Sequence, residues 1–391
     1  MMYDSARLKL KLELILMWPL ILLGKIIGVA IPLKTHHNTF FLLPNQDIGG
    51  SPQVNLDLLA CFIDKNPIVI FTKKGRNNLF AEHYKKLGIK TIDIHKWTDN
   101  KALHFLNIIV RGMITRWIHA NKNVTVFGGE CIFFYKVAPH LKASINKVEL
   151  CHLPTWIGYT KAFAPYITTR VTSTAFLRRT ILAEYSRSKV PAEYFEKIRF
   201  VENAIDIPTL SNNKNNQLEV FFIGRGAPQK RIHLICKIAK KANDASLPLH
   251  FNFVGDVENY IDKDDFFFCI FYGNVKDQTE MKNIYEKADV LLLTSKNEGL
   301  PVVVMQMMAM GKIVVSTAVD ALPDYIEHDV NGYLLTSENE KKIVEEGLNI
   351  FSQICHHPEQ SAQIGSNARE MAVEKFNREN FCKIWREIFN L

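Results

Sequence analysis

The sequence predicts an α/β protein of two doubly wound domains with parallel sheets, facing one cleft and preceded by an apolar, membrane-associating segment. Three observations predict this. Short β-rich runs alternate with amphipathic helical runs, the alternation stops at a polar stretch and restarts, and an apolar stretch lies near the N-terminus. The chain of 391 residues is long enough for two domains of ordinary size. Because ligands of such sheets bind beyond the carboxyl ends of the strands, candidate functional residues should directly follow strands.

The composition is that of a globular protein with a mildly basic balance. Hydrophobic residues make up 47% and charged residues 23%, which excludes large-scale disorder. The formal net charge of +8 suits an acidic partner such as anionic lipid, a nucleotide or a nucleic acid, without choosing between them. No module of interleaved aromatic and basic residues supports nucleic-acid binding, so we predict no nucleic-acid partner.

The seven cysteines are scattered, and none forms a CxxC pair or a Cys/His set with zinc spacing. The triplet Cys355-His356-His357 follows a helical run and precedes Pro358, which is typical of a loop at a helix end. We therefore predict no metal site. Scattered cysteines with apolar neighbours also indicate a reducing compartment.

Residues 7–34 form an apolar segment with basic flanks. Its core from Leu14 to Leu33 approaches the roughly 20 residues that span a bilayer, but a proline, two glycines and Lys25 interrupt it. The segment lacks the unbroken core and the cleavage site of a secretory signal. Its basic flanks and Trp18 favour a monotopic segment in an anionic membrane surface. A helix packed on the protein's own body is the alternative.

After this segment, strands alternate with helices in each of two halves of the chain, and the polar stretch Ser211–Gln217 is the predicted linker between them. We predict a membrane-associating segment over 1–34, a first α/β domain over 35–205, a second over 206–375, and a C-terminal helix over 376–391 that crosses back to the first domain. The strand candidates are NTFFLLP, NPIVIFT, IKTIDI, NVTVFGG, KVELCHL and ITTRVTS in the first half, and LEVFFIG, LHFNFVG, FFFCIFYG, ADVLLLT, KIVVST and GYLL in the second.

A glycine-containing loop follows the first strand of the second half. The run FFIGRGAPQK places Gly224 at the strand end and brackets the loop with Arg225 and Lys230, where we expect a helix to open. Glycine lets backbone amides approach a ligand, and a helix N-terminus favours anions. The two cations suit a diphosphate, although a solvated basic helix start has the same pattern.

The first half offers two glycine loops and a histidine. Gly49 and Gly50 follow the first strand, so they form either a cradle for phosphate or sugar or a plain βα turn. The run Gly128–Glu130 is a weaker candidate of the same kind. His152 directly follows the strand KVEL, where ligand groups gather, but a lone histidine at such a place is more often structural.

The stretch TSKNEGLPVVVMQMMAMGK combines one acid with an apolar helix. The strand before it ends at Ser295, and a loop then delivers Glu298 just ahead of Pro301, which suits the first turn of a helix. The helix is nearly all apolar and is therefore predicted to be buried. Gln306 is its polar exception.

Together these motifs resemble the family 4 retaining glycosyltransferases (glycosyl transferases group 1), which have the GT-B fold of two Rossmann-like domains facing a central cleft. The run from Asn283 to Leu335 matches the most recognisable block of that family. The loop GRGAPQK matches its Gly-Arg…Lys loop, and VENAIDI matches its domain-junction signature with Ala204 in place of glycine. The resemblance is good from about residue 200 to 390, diffuse before that, and does not include residues 1–34.

The resemblance implies a role for each candidate residue. Arg225 and Lys230 would hold the donor diphosphate and stabilise the leaving nucleotide, so that neither a metal nor another cofactor is implied. Glu298 would contact hydroxyls of the donor sugar, and His152 would touch that sugar or its phosphate; these four would be the catalytic residues. The other implied donor-binding positions are Gly49 and Gly50 over the leaving group, Gly224 in the loop, Gly273, Asn274 and Val275 beside the base, Ser295, Gly299 and Leu300 near the sugar, and Gln306 at the ribose.

The sequence departs from the family pattern at two places, Gln306, where the family has a second glutamate, and Asp320–Asp324, where DALPD replaces a Gly-Gly form. A glutamine amide can still pair with a vicinal diol, accepting from one hydroxyl and donating to the other. Losing the charged acceptor should cost on the order of 1–2 kcal/mol of donor binding. We interpret the site as a working variant.

The implied function is retaining, metal-independent transfer of a sugar from a UDP- or GDP-type donor to a lipid-linked or cell-surface polysaccharide or lipopolysaccharide acceptor. The expected location is the cytoplasmic face of the bacterial inner membrane, with residues 7–34 on its anionic surface. Two alternatives stay open: a non-catalytic or weakly active nucleotide-sugar-binding relative in a glycan-assembly complex, and a nucleotide-sugar 2-epimerase. The sequence leaves the oligomeric state undetermined.

Overall fold

The computed structural model describes residues 2–47, 49–100, 102–210 and 217–391, and the chain forms two compact units. The first comprises Met1–Asn203 and Glu379–Leu391, and the second comprises Ala204–Arg378. Each unit contains one parallel sheet, which confirms the two doubly wound domains. The stretch that we interpret as a linker lies outside the described residues, apart from Gln217.

The first unit holds a seven-stranded sheet whose winding reverses in the middle. Its strands are β1 (Thr39–Leu43), β2 (Ile68–Phe71), β3 (Lys90–Asp93), β4 (Thr125–Gly129), β5 (Asn146–Cys151), β6 (Thr169–Thr172) and β7 (Ile198–Phe200). They lie in the order β3-β2-β1-β4-β5-β6-β7, so the direction of winding changes between β1 and β4. β1 and β2 are buried along their full length because helices cover both faces of a parallel sheet.

The helices of this unit are mostly short, and the N-terminal one is the longest. They are α1 (Tyr3–Ala30), α2 (Gly50–Ala60), α3 (Ala81–Lys86), α4 (His95–Thr98), α5 (His104–His119), α6 (Ile132–Val137), α7 (Ile157–Thr160) and α8 (Ala175–Arg187).

One face of α1 packs on the body of the unit, mainly against α5. Gly24 faces Gly112 so closely that a Cβ added to Gly24 would lie 1.9 Å from the carbonyl oxygen of Ile109. The indole Nε1 of Trp117 donates a hydrogen bond of 2.7 Å to the carbonyl of Ile31, near the end of α1. The two backbones are therefore in direct contact, as small residues permit. For this face of α1, the alternative prediction holds: the helix packs on the protein's own body.

The opposite face of α1 is exposed and apolar. Its exposed large hydrophobic residues from position 12 onwards are Leu12, Ile15, Leu16, Trp18, Leu22, Leu23, Ile26, Val29 and, just beyond the helix, Ile31. The charged residues between Leu12 and Ile31 are Glu13 and Lys25, and both are half-buried. Glu13 is paired with Lys136 at 3.5 Å. By length and composition alone, α1 could cross a membrane. The core helix of a soluble protein or a signal sequence can have the same length and composition, so these two properties do not distinguish between the three.

The second unit holds a six-stranded parallel sheet with the same kind of reversal. Its strands are β8 (Leu218–Ile223), β9 (Leu249–Val254), β10 (Ile270–Gly273), β11 (Val290–Leu293), β12 (Ile313–Thr317) and β13 (Tyr333–Leu335), and its helices are α9 (Ile232–Asp244), α10 (Gln278–Lys287), α11 (Val302–Ala309), α12 (Glu340–His356) and α13 (Pro358–Lys375). The strand order is β10-β9-β8-β11-β12-β13, so the winding reverses between β8 and β11. His357 lies between two helices, so the Cys355–His357 triplet is a helix end, as the sequence predicts.

The last helix, α14 (Arg378–Ile388), returns the chain to the first unit. Phe389, which follows it, stacks on Phe62 with ring centroids 4.2 Å apart. Cys382 forms a disulfide with Cys61 across a sequence separation of 321 residues. The spacing of the cysteines in the sequence does not indicate this pair, because the fold alone brings the two residues together.

Candidate active site

The two loops that follow β8 and β11 meet at the point where the winding of the second sheet reverses. Open α/β sheets bind their ligands at such a point, beyond the carboxyl ends of the strands. Lys230 lies in the first loop and Glu298 in the second, and the ammonium Nζ of Lys230 donates to Oε1 of Glu298. The hydroxyl of Ser295 donates to the same oxygen at 2.5 Å. Three of the residues that the sequence singles out thus form one cluster.

The cluster is largely shielded from solvent. The side chain of Glu298 is 8% exposed and that of Lys230 is 17% exposed. Within the described part of the chain, Oε2 of Glu298 accepts no hydrogen bond, and two of the three ammonium donors of Lys230 are unused. The pair therefore has both an acceptor and donors left for a ligand.

Arg231 fixes the two loops to each other. It has a left-handed backbone conformation, with φ of +46°, and its guanidinium donates to the carbonyls of Thr294 (2.6 Å) and Ser295 (3.0 Å). The hydroxyl of Thr294 donates back to the carbonyls of Lys230 and Arg231 at 3.1 and 3.0 Å. These reciprocal bonds hold the lysine and the glutamate in register. No separate signal in the sequence points to Arg231.

Asp320 orients the backbone beside the glutamate. Its Oδ2 accepts a hydrogen bond of 2.8 Å from the amide of Glu298, and its own φ is +48°. Asp320 is the first residue of the DALPD departure, which sequence reasoning treated only as a difference from the family pattern. The positive φ of a non-glycine residue in the loop after β12 could be recognised only from the structure.

The glycine loop after β8 is packed tightly against the loop after β9. A Cβ added to Gly226 would lie 2.1 Å from the carbonyl oxygen of Asp256, and the amide of Gly226 donates to Oδ1 of Asp256 at 2.7 Å. Gly224 lies at the strand end, as predicted, and Arg225 is exposed. The following α-helix begins at Ile232 rather than near Lys230, because Pro228–Lys230 form a 3-10 turn.

The other predicted donor-binding residues of this unit follow neighbouring strands. Gly299 and the buried Leu300 precede α11, and Gln306 is half-buried in that mostly buried helix. The run Gly273–Val275 lies at the end of β10, where the carbonyl of Gly273 accepts from the amide of Gly255 at 2.8 Å. These residues border the same edge of the sheet, but the direct contacts described above join only Lys230, Ser295 and Glu298.

In the first unit, Glu130 organises the loop that carries His152. Its Oε1 accepts from the amides of His152 (2.9 Å) and Leu153 (3.0 Å), and its φ is +47°. The imidazole Nε2 of His152 is buried and has no hydrogen-bond partner among the described residues. Burial lowers the pKa of His152 from its ordinary value, with Glu130 opposing the shift, so the imidazole is neutral at neutral pH. A buried, unpaired nitrogen of this kind is ready to bind a polar ligand group.

The glycine pairs of the first unit differ in their surroundings. Gly49 and Gly50 lie where α2 begins, after β1, and a Cβ on Gly49 would approach only Pro52, at 3.5 Å. A Cβ on Gly129, by contrast, would lie 2.3 Å from the side-chain oxygen of the buried Asn55. Close packing therefore explains Gly129, whereas a Cβ on Gly49 would meet the described residues only at ordinary contact distance.

Two Rossmann-like parallel sheets, each with polar loops at its reversal point, define the GT-B class of α/β protein. The structure is similar to that of Anabaena HepE in complex with UDP-glucose, with a TM-score of 0.71 and 16% sequence identity over 90% of this chain and 100% of that chain. At this identity the likeness shows the fold. Residues 206–371 match the family model of glycosyl transferases group 1, and the chain therefore carries a domain of that family.

Two relatives with assigned names are bacterial. The chain is 24% identical over 226 residues to the poly(ribitol-phosphate) alpha-N-acetylglucosaminyltransferase of Staphylococcus aureus, which covers 54% of this chain and 43% of that protein. It is 26% identical over 178 residues to the putative colanic acid biosynthesis glycosyltransferase WcaL of Escherichia coli, covering 41% of this chain and 42% of that protein. The matched part thus spans less than half the length of either relative.

Proposed function

We propose that the protein is a retaining family 4 glycosyltransferase that transfers a sugar from a UDP- or GDP-sugar to a cell-surface polysaccharide, lipopolysaccharide or lipid-linked acceptor without a metal. The observation that carries the proposal is the Lys230–Glu298 pair at the reversal point of the second sheet. The names of the bacterial relatives support a surface-glycan acceptor, and the UDP-glucose bound to the Anabaena protein supports a nucleotide-sugar donor.

The residues of the pair have complementary tasks in such a transfer. When the nucleoside diphosphate departs, negative charge develops on a phosphate oxygen and the sugar gains oxocarbenium character. Lys230, held by Glu298, would stabilise that negative charge without reorganising during the reaction, and the exposed Arg225 would add a second cation. The unused Oε2 of Glu298 would accept from a donor-sugar hydroxyl. The two cations beside the leaving group would take the place of a metal ion.

The exposed face of α1 supports a monotopic position on the cytoplasmic face of the inner membrane. Its other face is occupied by α5, so the helix can contribute only one side to a bilayer while it stays docked. Exposed apolar residues from Leu12 to Ile31 would enter the acyl boundary, and basic residues such as Lys9 and Lys11 would meet anionic headgroups. A lipid-linked acceptor would then lie in the same membrane surface.

A thermal-shift panel with UDP, GDP, CDP and their sugars tests the donor assignment. A ligand that binds only the folded protein at about 100 times its Kd should raise the melting temperature by a few °C. We expect this with a uridine or guanosine nucleotide, and a smaller shift in Lys230→Ala. A hydrolysis assay with the sugar nucleotide that binds would then show whether the protein cleaves the donor. If no nucleotide shifts the melting temperature, the non-catalytic alternative is favoured instead.

Replacing Gln306 by glutamate should tighten donor binding and leave the chemical step unchanged. The proposed partner of this half-buried residue is the ribose, to which a carboxylate can offer two acceptors in place of one. We expect the KM for the donor to fall by up to about tenfold at constant kcat. Gln306→Leu, which has no hydrogen-bonding group, is the control and should raise KM. A loss of kcat in Gln306→Glu would rule out the ribose role.

A further inference from the structure

A pocket of about 530 Å³ lies in the first unit, between α8 and the edge strand β7. None of the residues placed in the candidate active site lines it. Its lining residues are Ala175, Arg178, Arg179, Glu196, Ile198, Arg199 and Phe200. The pocket therefore combines three guanidinium groups and one carboxylate with an apolar wall.

Two arginines of the pocket, Arg178 and Arg199, have donors to offer. Arg178 uses its Nε to donate to the carbonyl of Ile198 at 3.3 Å, which ties α8 to β7 and leaves its terminal nitrogens without a partner among the described residues. Arg199 lies on β7, is exposed, and its guanidinium pairs with no group in the described part of the chain. The guanidinium groups of Arg178 and Arg199 outnumber the one carboxylate of the lining, that of Glu196, so the pocket is cationic.

The pocket also lies at the positive end of a helix. Ala175 is the first residue of α8, whose N-cap, Thr174, accepts from the amide of Leu177 at 3.1 Å. A helix N-terminus favours an anion, and here it adds to the arginine side chains. Phe200, which is 36% exposed, provides an apolar surface beside the charges.

We propose that this pocket binds a phosphate or diphosphate group carried by the acceptor. Guanidinium groups recognise phosphate through paired hydrogen bonds. A phosphate has more acceptor oxygens than a carboxylate, so it is the better ligand for a pocket that offers the donors of both Arg178 and Arg199. A volume of about 530 Å³ is larger than a bare phosphate needs and lies in the usual range of small-molecule sites, so the sugar or lipid next to the phosphate can enter as well. The assignment to an acceptor rests on the proposed function, but phosphate binding can be tested without it.

Calorimetric titration of the full-length protein with inorganic pyrophosphate tests the pocket, with saturating UDP present to occupy the donor site. The informative variant is Arg199→Gln, because that side chain is exposed and contributes no described contact to the fold. Arg187→Gln is the matched control, since Arg187 is 82% exposed at the other end of α8. We expect Arg199→Gln to weaken pyrophosphate binding about tenfold or more, as the loss of a charge-assisted hydrogen bond does, and Arg187→Gln to have no effect.

Binding to vesicles distinguishes two possible ligands of the pocket, a phosphate of the acceptor and a lipid headgroup of the membrane. The same three proteins are sedimented with vesicles of phosphatidylcholine alone and of phosphatidylcholine with phosphatidylglycerol. Weaker pyrophosphate binding by Arg199→Gln supports the acceptor phosphate. Weaker binding to phosphatidylglycerol vesicles alone would move the site to the membrane headgroup and overturn the acceptor assignment. Equal behaviour of Arg199→Gln and Arg187→Gln with both probes would overturn the phosphate site.

A parallel titration with UDP alone keeps this inference distinct from the proposed function. Arg199 is not among the proposed donor-binding residues, so Arg199→Gln should bind UDP as the unmodified protein does. Absence of UDP binding in every protein would remove the proposed donor site, whereas the pyrophosphate comparison would still report on the arginine pocket.

Discussion

Lys230→Ala should lower the rate of sugar transfer by about 10²–10³-fold, the usual effect of removing one preorganised group that stabilises transition-state charge. Lys230 is mostly shielded, paired with Glu298 and held by the bonds that join the two loops, so its ammonium would meet the leaving phosphate in a fixed position. Initial rates with the sugar nucleotide identified by the thermal-shift panel measure the effect. Lys296→Ala is the matched control, because Lys296 lies in the same pair of loops with an exposed side chain.

Glu298→Gln tests the other member of the pair and should reduce transfer to a similar degree. The change keeps the size of the side chain and removes the charge that holds Lys230 and accepts from Ser295. Melting temperatures of both variants separate a lost activity from a lost fold. Near-normal rates in Lys230→Ala and Glu298→Gln would refute the active-site assignment.

The double change Leu16→Glu with Trp18→Glu should release the protein from anionic vesicles. The side chains are 79% and 61% exposed on the outer face of α1, so the charges should be tolerated in solution. Each apolar side chain that no longer enters the bilayer costs about 1.5–3 kcal/mol, and two together predict a loss of at least 100-fold in vesicle partitioning. Sedimentation with phosphatidylglycerol vesicles measures it.

The control for this prediction is Gln360→Glu with Gln363→Glu, which adds the same two charges on exposed positions of α13. If both double variants remain bound to vesicles, the outer face of α1 is not the membrane contact. Deleting residues 1–34 would be a less clear test, because α1 covers Gly112 and contacts Trp117, and the deletion would expose that surface.

Most of the sheet structure could be predicted because buried parallel strands are continuous apolar runs. All strands except β7 coincide with predicted ones. β7 has only three residues, which is too short for a strand pattern to stand out in the sequence. The arginine pocket beside β7 could not be predicted from the sequence either, since its lining residues come from β7 and α8, which only the fold brings together.

The candidate active site was predictable in its parts but not in its connections. Glycine loops and acids after strands indicate Lys230 and Glu298, and the α/β plan brings such loops to one edge. Arg231, Asp320 and Glu130 act through their positive φ angles and their bonds to nearby backbone groups, which depend on the exact path of each loop. No periodicity or spacing in the sequence reports these.

The N-terminal helix shows a different limit of sequence reasoning. An apolar helix with hydrophobic residues on all sides does not indicate which side is covered. Gly24 was interpreted as an interruption of a membrane segment, yet it is the place where the backbone of α1 touches α5. Gly24 allows α1 to pack closely on α5, and it is not an interruption of a membrane-spanning helix.

The disulfide between Cys61 and Cys382 makes the intervening chain, including all of the second unit, a closed covalent ring. While the bond is intact, a protease that cuts once anywhere inside this ring opens it without releasing a fragment, and the two halves separate only after a thiol is added. In a reducing cytosol the ring is open, and α14 depends on its non-covalent contacts, such as the stacking of Phe389 on Phe62. The redox state of one cysteine pair thus decides whether the chain between Cys61 and Cys382 is a linear segment or a closed covalent ring.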